Sequence, residues 1–190
     1  AACDVDEASF ASVQQINIAS DGEGVSDLHT YTDLDKMLAE EKIDLIDVCV
    51  PTFLHATVVE DLLRRGYPVH CEKPMARTYE QCLDMIKVSK ETGNALQIGL
   101  CLRFLGDYVF LHDAIKNGTF GKPLTVFLQR LSLPARWGWE GWYADIKRSG
   151  GCLLDMHIHD VDMVRFLLGE PDAVSCRTND TVCGDDTAYS

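Results

Sequence analysis

Between residues 45 and 100, short apolar runs alternate with longer amphipathic stretches, and this alternation restricts the possible folds more than any other feature of the chain. Residues 45–50, Leu-Ile-Asp-Val-Cys-Val, read as a buried strand that Pro51 ends. Residues 54–65 read as a helix with Val58, Val59, Leu62 and Leu63 inward and Gly66 as its stop. Residues 68–71 form another short strand. Thr78 caps a second helix, with Gln81 as its capping-box partner; Leu83 and Ile86 face inward and Gly93 ends it. Residues 95–100 form the next strand. The crossovers are short and each strand reads as apolar on both faces, which implies parallel pairing with right-handed crossovers in a doubly wound α/β sheet. A ligand of such a sheet sits beyond the carboxyl ends of its strands. Those ends are Asp4, Pro51-Thr52, Glu72-Lys73-Pro74 and residues 100–103, closing on Arg103.

On the N-terminal side, residues 1–6 read as the tail of a strand and 7–15 as a helix, so further sequence is expected upstream. The Gly-x-Gly at 22–24 has no third glycine in register and no apolar strand before it, and reads as a loop rather than a phosphate cradle. Residues 32–41 form a short helix with Leu34, Met37 and Leu38 on one side. After Arg103 the character changes. Residues 107–117 are an amphipathic helix with Tyr108, Leu111 and Ile115, and 124–133 are a long strand-like run. An aromatic loop with Trp137, Trp139, Trp142 and Tyr143 follows. Residues 173–178 and 187–189 read as strands. The division expected is 1–103 as one domain and 104–190 as part of a second, α+β one.

A net charge of −13 argues against nucleic acid or an anionic membrane as partner. No apolar run approaches the roughly 20 residues of a membrane span. None of the eight cysteines forms Cys-x-x-Cys, and Cys49 and Cys71 stand in apolar contexts; reduced buried thiols in a cytosolic protein are expected.

Residues 150–162 concentrate the chemistry: two histidines and three carboxylates lie within eight residues, followed by an apolar segment that Gly169 and Pro171 stop. Leu154, Ile158, Val161, Arg165 and Leu168 recur at helical spacing. On one helix, Asp155 and His159 share a face, as a general base and its orienting carboxylate would, and His157 points elsewhere. As a strand, Asp155, His157 and His159 would line one face, as metal ligands might be arranged. The bland alternative has His159 satisfying a core hydrogen bond and Asp155 solvated. Lys73, at a strand end, is placed to hydrogen-bond a substrate oxygen and ease loss of its proton, against a bland reading as a solvated loop lysine.

Glu72-Lys73-Pro74, followed by Gly150-Gly151 with Asp155 and His159 downstream, resembles the Gfo/Idh/MocA oxidoreductase family (glucose–fructose oxidoreductase, inositol dehydrogenase and rhizopine-catabolism proteins). Tyr31-Thr32-Asp33-Leu34, Pro51-Thr52-Phe53-Leu54-His55, Arg103-Phe104 and Gly169-Glu170-Pro171 are similar to further landmarks of that family, in order along the whole chain. The resemblance implies a partial Rossmann-like sheet, then part of a second α+β domain, and hydride transfer between a secondary alcohol of a sugar or cyclitol and NAD, NADP being the lesser choice. Asp4 would accept hydrogen bonds from the adenosine ribose, favouring NAD because a 2′-phosphate would meet a carboxylate. Pro51, Thr52 and His55 would line the cofactor, with Glu72 near the nicotinamide ribose. Lys73 would bridge that ribose and the substrate hydroxyl, and His159 would take the hydroxyl proton. Asp155 would hold the substrate or the imidazole, and Arg103 the cofactor or the domain junction. The aromatic loop would wall a sugar ring or pack a subunit interface. A sugar or polyol partner, a homo-oligomer and a cytoplasmic location are implied; no metal is.

The family's opening strand with Gly-x-Gly-x-x-Gly and most of its C-terminal sheet have no counterpart in these residues, so this polypeptide by itself is expected to bind NAD poorly and turn over slowly. Leu100-Cys101-Leu102 also stands where many members place a polar residue. Two other functions compete: a metal-dependent hydrolase or isomerase using His157, His159, Asp155 and Asp160, and a non-catalytic fragment of the same fold.

Overall fold

The computed structural model describes residues 1–10, 28–133, 138–179 and 187–189. Residues 11–15 of the helix expected over 7–15, the loop at 21–24 and Trp137 lie outside them. The chain divides into two compact units, 1–44 and 45–190.

In the first unit β1 (Ala2–Cys3) pairs in parallel with β2 (Thr30–Tyr31). Asp4 follows β1 directly, and its Oδ1 accepts from the Asp6 amide at 2.8 Å. A single 3-10 turn, Glu7–Ser9, opens the stretch expected to be helical. Helix α1 (Leu34–Glu40) is capped by Asp33, which accepts from the Lys36 amide, and buries Met37.

The second unit is built on β3 (Ile46–Val48), β4 (Val69–Cys71) and β5 (Leu96–Ile98), all parallel and in that order. Helix α2 (His55–Arg64) joins the first pair and α3 (Tyr79–Thr92) the second. Val59, Leu62 and Leu63 of α2 and Met85 of α3 are at most 1% exposed, packed with Val48, Val69 and Cys71 of the sheet. The capping box forms as the sequence implies: Thr78 accepts from the Gln81 amide, and Gln81 returns the bond. The buried stripe of α3 is Met85 and Val88, however. Leu83 and Ile86, expected inward, are 46% and 39% exposed. Both pairs have helical spacing, and only the sheet selects the phase.

The strands are not apolar on both faces. Asp47, His70 and Gln97 are direct partners across the sheet, and the His70 ring lies 2.8 Å from Asp47. Both crossover helices serve the other face, so this one carries the polar residues of an alternating pattern.

Helix α4 (Gly106–Lys116) matches the expected amphipathic helix and buries Ala114. Residues 124–133 form no strand: Leu124, Phe127 and Leu131 are each more than 80% exposed. A strand is defined by its ladder, and this run has no ladder partner among the described residues. The single helix expected around Asp155 is three pieces, α5 (Ile146–Ser149), α6 (Gly151–Asp155) and α7 (Ile158–Leu168). Gly150 separates the first two at φ 87°, where an added Cβ would lie 2.4 Å from Leu154 Cδ2. The strand expected at 173–178 is β6 (Arg177–Asn179), antiparallel to β7 (Thr187–Tyr189). The described cysteines are free thiols; Cys71 is buried, whereas Cys49 is exposed. Among the described residues no helix is long and apolar enough to cross a membrane.

Candidate active site

The carboxyl ends of β3 and β4 are tied together by one side chain. His55 is 1% exposed, and its Nδ1 and Nε2 each lie 2.8 Å from a carbonyl oxygen, of Pro74 and Val50 respectively. Carbonyls only accept, so the ring donates into both loops when both nitrogens carry protons. His55 therefore spends its nitrogens on backbone rather than presenting one to a ligand. Thr52 beside it is also 1% exposed, and the Pro74 side chain is fully enclosed. Glu72 follows β4, with Oε2 accepting from the Lys73 amide at 3.1 Å. An added Cβ at Gly99 would sit 3.3 Å from the His70 ring and 3.4 Å from the Glu72 carboxyl group, so the backbone passes closely behind both side chains.

Lys73 reaches from this loop to the second half of the unit. Its Nζ donates to Asp155 Oδ1 at 3.0 Å and to the Asp155 backbone oxygen at 2.7 Å, with both side chains 19% exposed. Asp155 ends α6, where backbone carbonyls lack helical partners, so the ammonium satisfies an orphan acceptor and a carboxylate together. Charge-assisted bonds of this kind contribute about 1.5–3 kcal/mol. Asp155 thus orients Lys73, not His159. The helical run is interrupted at Met156–His157, and no hydrogen bond joins Asp155 to His159 among the described residues.

His159 lies in the first turn of α7, half-buried. Its Nδ1 is enclosed and has no hydrogen-bond partner among the described residues. Desolvation, then the charges of Lys73 and Arg130, hold its pKa below the usual histidine value; Asp160 and Asp155 oppose them weakly. The ring is consequently neutral at pH 7. Tyr143 faces the same region: desolvation, then the Asp155 and Glu72 carboxylates, push its phenol up to about 12. Its ring stacks on Trp142 with centroids 3.8 Å apart.

Two site-building roles escape a sequence reading, which offers Asp160 only as a metal ligand and gives Asp162 no role. Asp160 and Asp162 of α7 are each 5% exposed, and each receives an arginine. Arg130 bonds Asp160 at 3.0 and 3.3 Å, and the His157 ring lies 3.2 Å from the same carboxylate. Arg103 forks onto Asp162 and lies 5.1 Å over the Phe166 ring. Arg103, for which cofactor and junction roles competed, is committed to the helix that carries His159. The available signal was two carboxylates within an otherwise apolar helix, since buried charges need partners. Arg148 makes a further link, 4.8 Å over the Phe53 ring beyond β3 and 5.6 Å over Trp139.

The structure therefore gathers Glu72, Lys73, Asp155, His159 and Tyr143, with Pro51, Thr52 and His55 at the neighbouring strand end. Asp4 belongs to the 1–44 unit. Among the described residues no three His, Cys, Asp or Glu side chains are placed to share a metal ion. Asp155 and Asp160, ligands in the hydrolase alternative, are occupied by Lys73 and Arg130.

Residues 3–100 match the family described as "Oxidoreductase family, NAD-binding Rossmann fold", and 108–189 match the "GFO/IDH/MocA C-terminal domain". The chain is 33% identical over 164 residues to 2,7-anhydro-N-acetylneuraminate hydratase of Escherichia coli (strain K12), covering 83% of this chain and 41% of that protein. It is 35% identical over 137 residues to inositol 2-dehydrogenase of Rhizobium meliloti (strain 1021), covering 72% and 40%. The WlbA dehydrogenase of Bordetella pertussis, solved with NADH and UDP-GlcNAcA, superposes with a TM-score of 0.78 at 22% identity, over 98% of this chain and 53% of that one. The chain thus spans about 40% of the length of these two curated relatives. With both halves matched in order, the chain belongs to the Gfo/Idh/MocA oxidoreductase family.

Proposed function

We propose that the full-length protein is an NAD-dependent dehydrogenase that oxidises a secondary alcohol of a sugar or cyclitol. One observation carries this reading: Lys73 Nζ, at a strand end, bonds both the carboxylate and the backbone oxygen of Asp155, four residues before His159, which brings an ammonium to the segment that carries the imidazole. Inositol 2-dehydrogenase, among the relatives, is named for such chemistry.

The residues at the strand ends fit a dinucleotide. Glu72 offers a carboxylate and Lys73 a donor where parallel strands end, the pairing that ribose hydroxyls require. Glu72 and Lys73 would hold the nicotinamide ribose, Pro51 and Thr52 would line its side of the cleft, and Asp4 would accept from the adenosine ribose. When bound, the cofactor supplies the hydride acceptor, so that alcohol and NAD⁺ become ketone, NADH and a proton.

Lys73, steadied by Asp155, donates to the substrate oxygen and stabilises negative charge developing there. His159 receives the hydroxyl proton; since Nδ1 is enclosed, the exchange falls to Nε2. Arg103 and Arg130, through Asp162 and Asp160, keep α7 where His159 meets the substrate. The domain division near residue 104, a homo-oligomer and a cytoplasmic location belong to this proposal.

The test is NADH formation by the full-length protein over a panel of cyclitols and sugars. A dehydrogenase accumulates NADH in step with ketone, whereas a hydratase shows no net NADH. Lys73→Ala is expected to lose at least about 100-fold in kcat; unchanged turnover would exclude the mechanism.

A further inference from the structure

Resting on the dehydrogenase reading, we infer that Arg148 is a positioning residue: stacked on Phe53, it clamps the start of α6 to the loop after β3, so that Asp155 at the end of that helix stays where Lys73 meets it. The loops after β3 and β4 are already fixed to each other, because His55 bridges the Val50 and Pro74 carbonyls. Each loop also reaches the segment over 138–155. Lys73, from the loop after β4, bonds Asp155. Phe53, in the 3-10 turn Thr52–Leu54 after β3, takes the Arg148 guanidinium 4.8 Å from its ring centroid. The two links bracket α6, one at its N-terminal approach and one at its last residue.

Helix α6 needs such support. It has five residues and no side-chain cap, and Gly151 is the only one of the five that is buried. A helix this short does not hold itself together in water. The segment before it is knit tightly enough to pass on the position of Arg148. Asp145 caps α5 and accepts from the Lys147 amide at 2.8 Å. Ser149, 1% exposed, donates to the Asp145 backbone oxygen at 3.1 Å and accepts from the Gly151 amide at 3.0 Å. A shift of Arg148 therefore moves Gly151 and, with it, α6. The stack rather than the ion pair makes the link. Glu140, 3.5 Å from Arg148, is 62% exposed, and pairs so exposed are worth little. Phe53 is a fixed platform by contrast, half-buried and flanked in its turn by the fully enclosed Thr52 and His55. A planar guanidinium can lie flat on such a ring, and an ammonium cannot.

The experiment uses the full-length protein with NAD and the cyclitol or sugar of the panel that reduces it fastest. Arg148→Lys keeps the charge but loses the flat stack. Its kcat should fall about tenfold while the NAD-binding fraction and NAD affinity, read by fluorescence, stay at the wild-type level. Phe53→Leu should lose as much, and Phe53→Tyr, which keeps an aromatic face, should retain most of the turnover. In an Asp155→Asn background, Arg148→Lys should cost no more than about threefold, because its effect passes through Asp155. A residue that merely stabilises the fold costs the same factor in both backgrounds. Losses that multiply overturn the inference, as does an Arg148→Lys variant that turns over like wild type. Glu140→Gln overturns it too if it loses as much as Arg148→Lys. The dehydrogenase reading is separable: it falls if no ring reduces NAD. Hydrogen exchange then decides the clamp. The Met156 and His157 amides, which bond the Cys152 carbonyl and close α6, should exchange about tenfold faster in Arg148→Lys than in wild type, with the β4 amides unchanged. Equal rates overturn the inference.

Discussion

Lys73 and Asp155, 82 residues apart in sequence, meet through two hydrogen bonds, one to the carboxylate at 3.0 Å and one to the backbone oxygen at 2.7 Å. The second bond makes the end of helix α6, as well as the side chain, part of the lysine's setting. His159, already disfavoured as a cation by desolvation, also feels Lys73 as a charge that opposes its protonation, with Asp155 acting against both.

Removing the carboxylate should separate these two effects. Asp155→Asn keeps the shape and the backbone bond but removes one charge from beside Lys73 and His159. The His159 pKa should fall further, because Asp155 is one of the groups raising it. The expected outcome is a loss of about 10-fold or more in kcat, with the acid limb of the pH–rate profile moved to lower pH. An acid limb moved to higher pH would contradict the assignment.

In the wild-type protein, oxidation should hold its rate below pH 6.5 and fall only as pH drops through the depressed His159 value. Lys73→Met removes the second-largest cause of that depression, so the residual activity should titrate closer to 6.5. For stability the sign follows from proton binding. Between the depressed value and the unfolded one, the unfolded chain binds more protons at this position, so the His159 contribution to stability rises with pH across that window and is complete above it. Kinetic profiles and urea titrations at several pH values measure both.

His55→Ala should destabilise by about 2–4 kcal/mol, because it opens a cavity in the core and leaves the Val50 and Pro74 carbonyls without their donor. A urea midpoint measures the loss. The residual folded protein should also show a kcat reduced more than NAD affinity, since the loop that is freed carries Lys73.

The ion pairs of α7 should differ sharply in weight. Asp162→Ala leaves Arg103 facing an apolar helix without its partner and is expected to cost about 1–3 kcal/mol, less than a fully buried pair because Arg103 is 38% exposed. The Arg165–Glu170 pair has side chains 52% and 71% exposed, and Glu170→Ala should leave the urea midpoint unmoved. Equal effects from the two substitutions would rule out the proposed role for Asp162.

Lys73 and His159 were legible as candidates because a lysine at a strand end and a histidine in a glycine-led helical segment stand out in one dimension. Their common setting was not, since it depends on the helix break at Met156–His157, and neither residue is a strong breaker. Asp160 and Asp162 show the same divide: a buried carboxylate in an apolar helix announces that it has a partner, but Arg130 lies 30 residues away and Arg103 59 residues away.

Local rules set what the sequence determined by itself: the succession of β3, α2, β4, α3 and β5, the Thr78 cap and the left-handed stop at Gly93. Each depends on residues within a few positions of one another, where backbone preference and periodicity decide. Tertiary structure alone decided which face of α3 is buried and that the sheet keeps a polar face of Asp47, His70 and Gln97, while residues 124–133 find no ladder partner among the described residues. It also decided that Asp155 serves Lys73. These outcomes depend on which surfaces meet, and packing and charge pairing act over distance in space, which spacing along the chain does not encode.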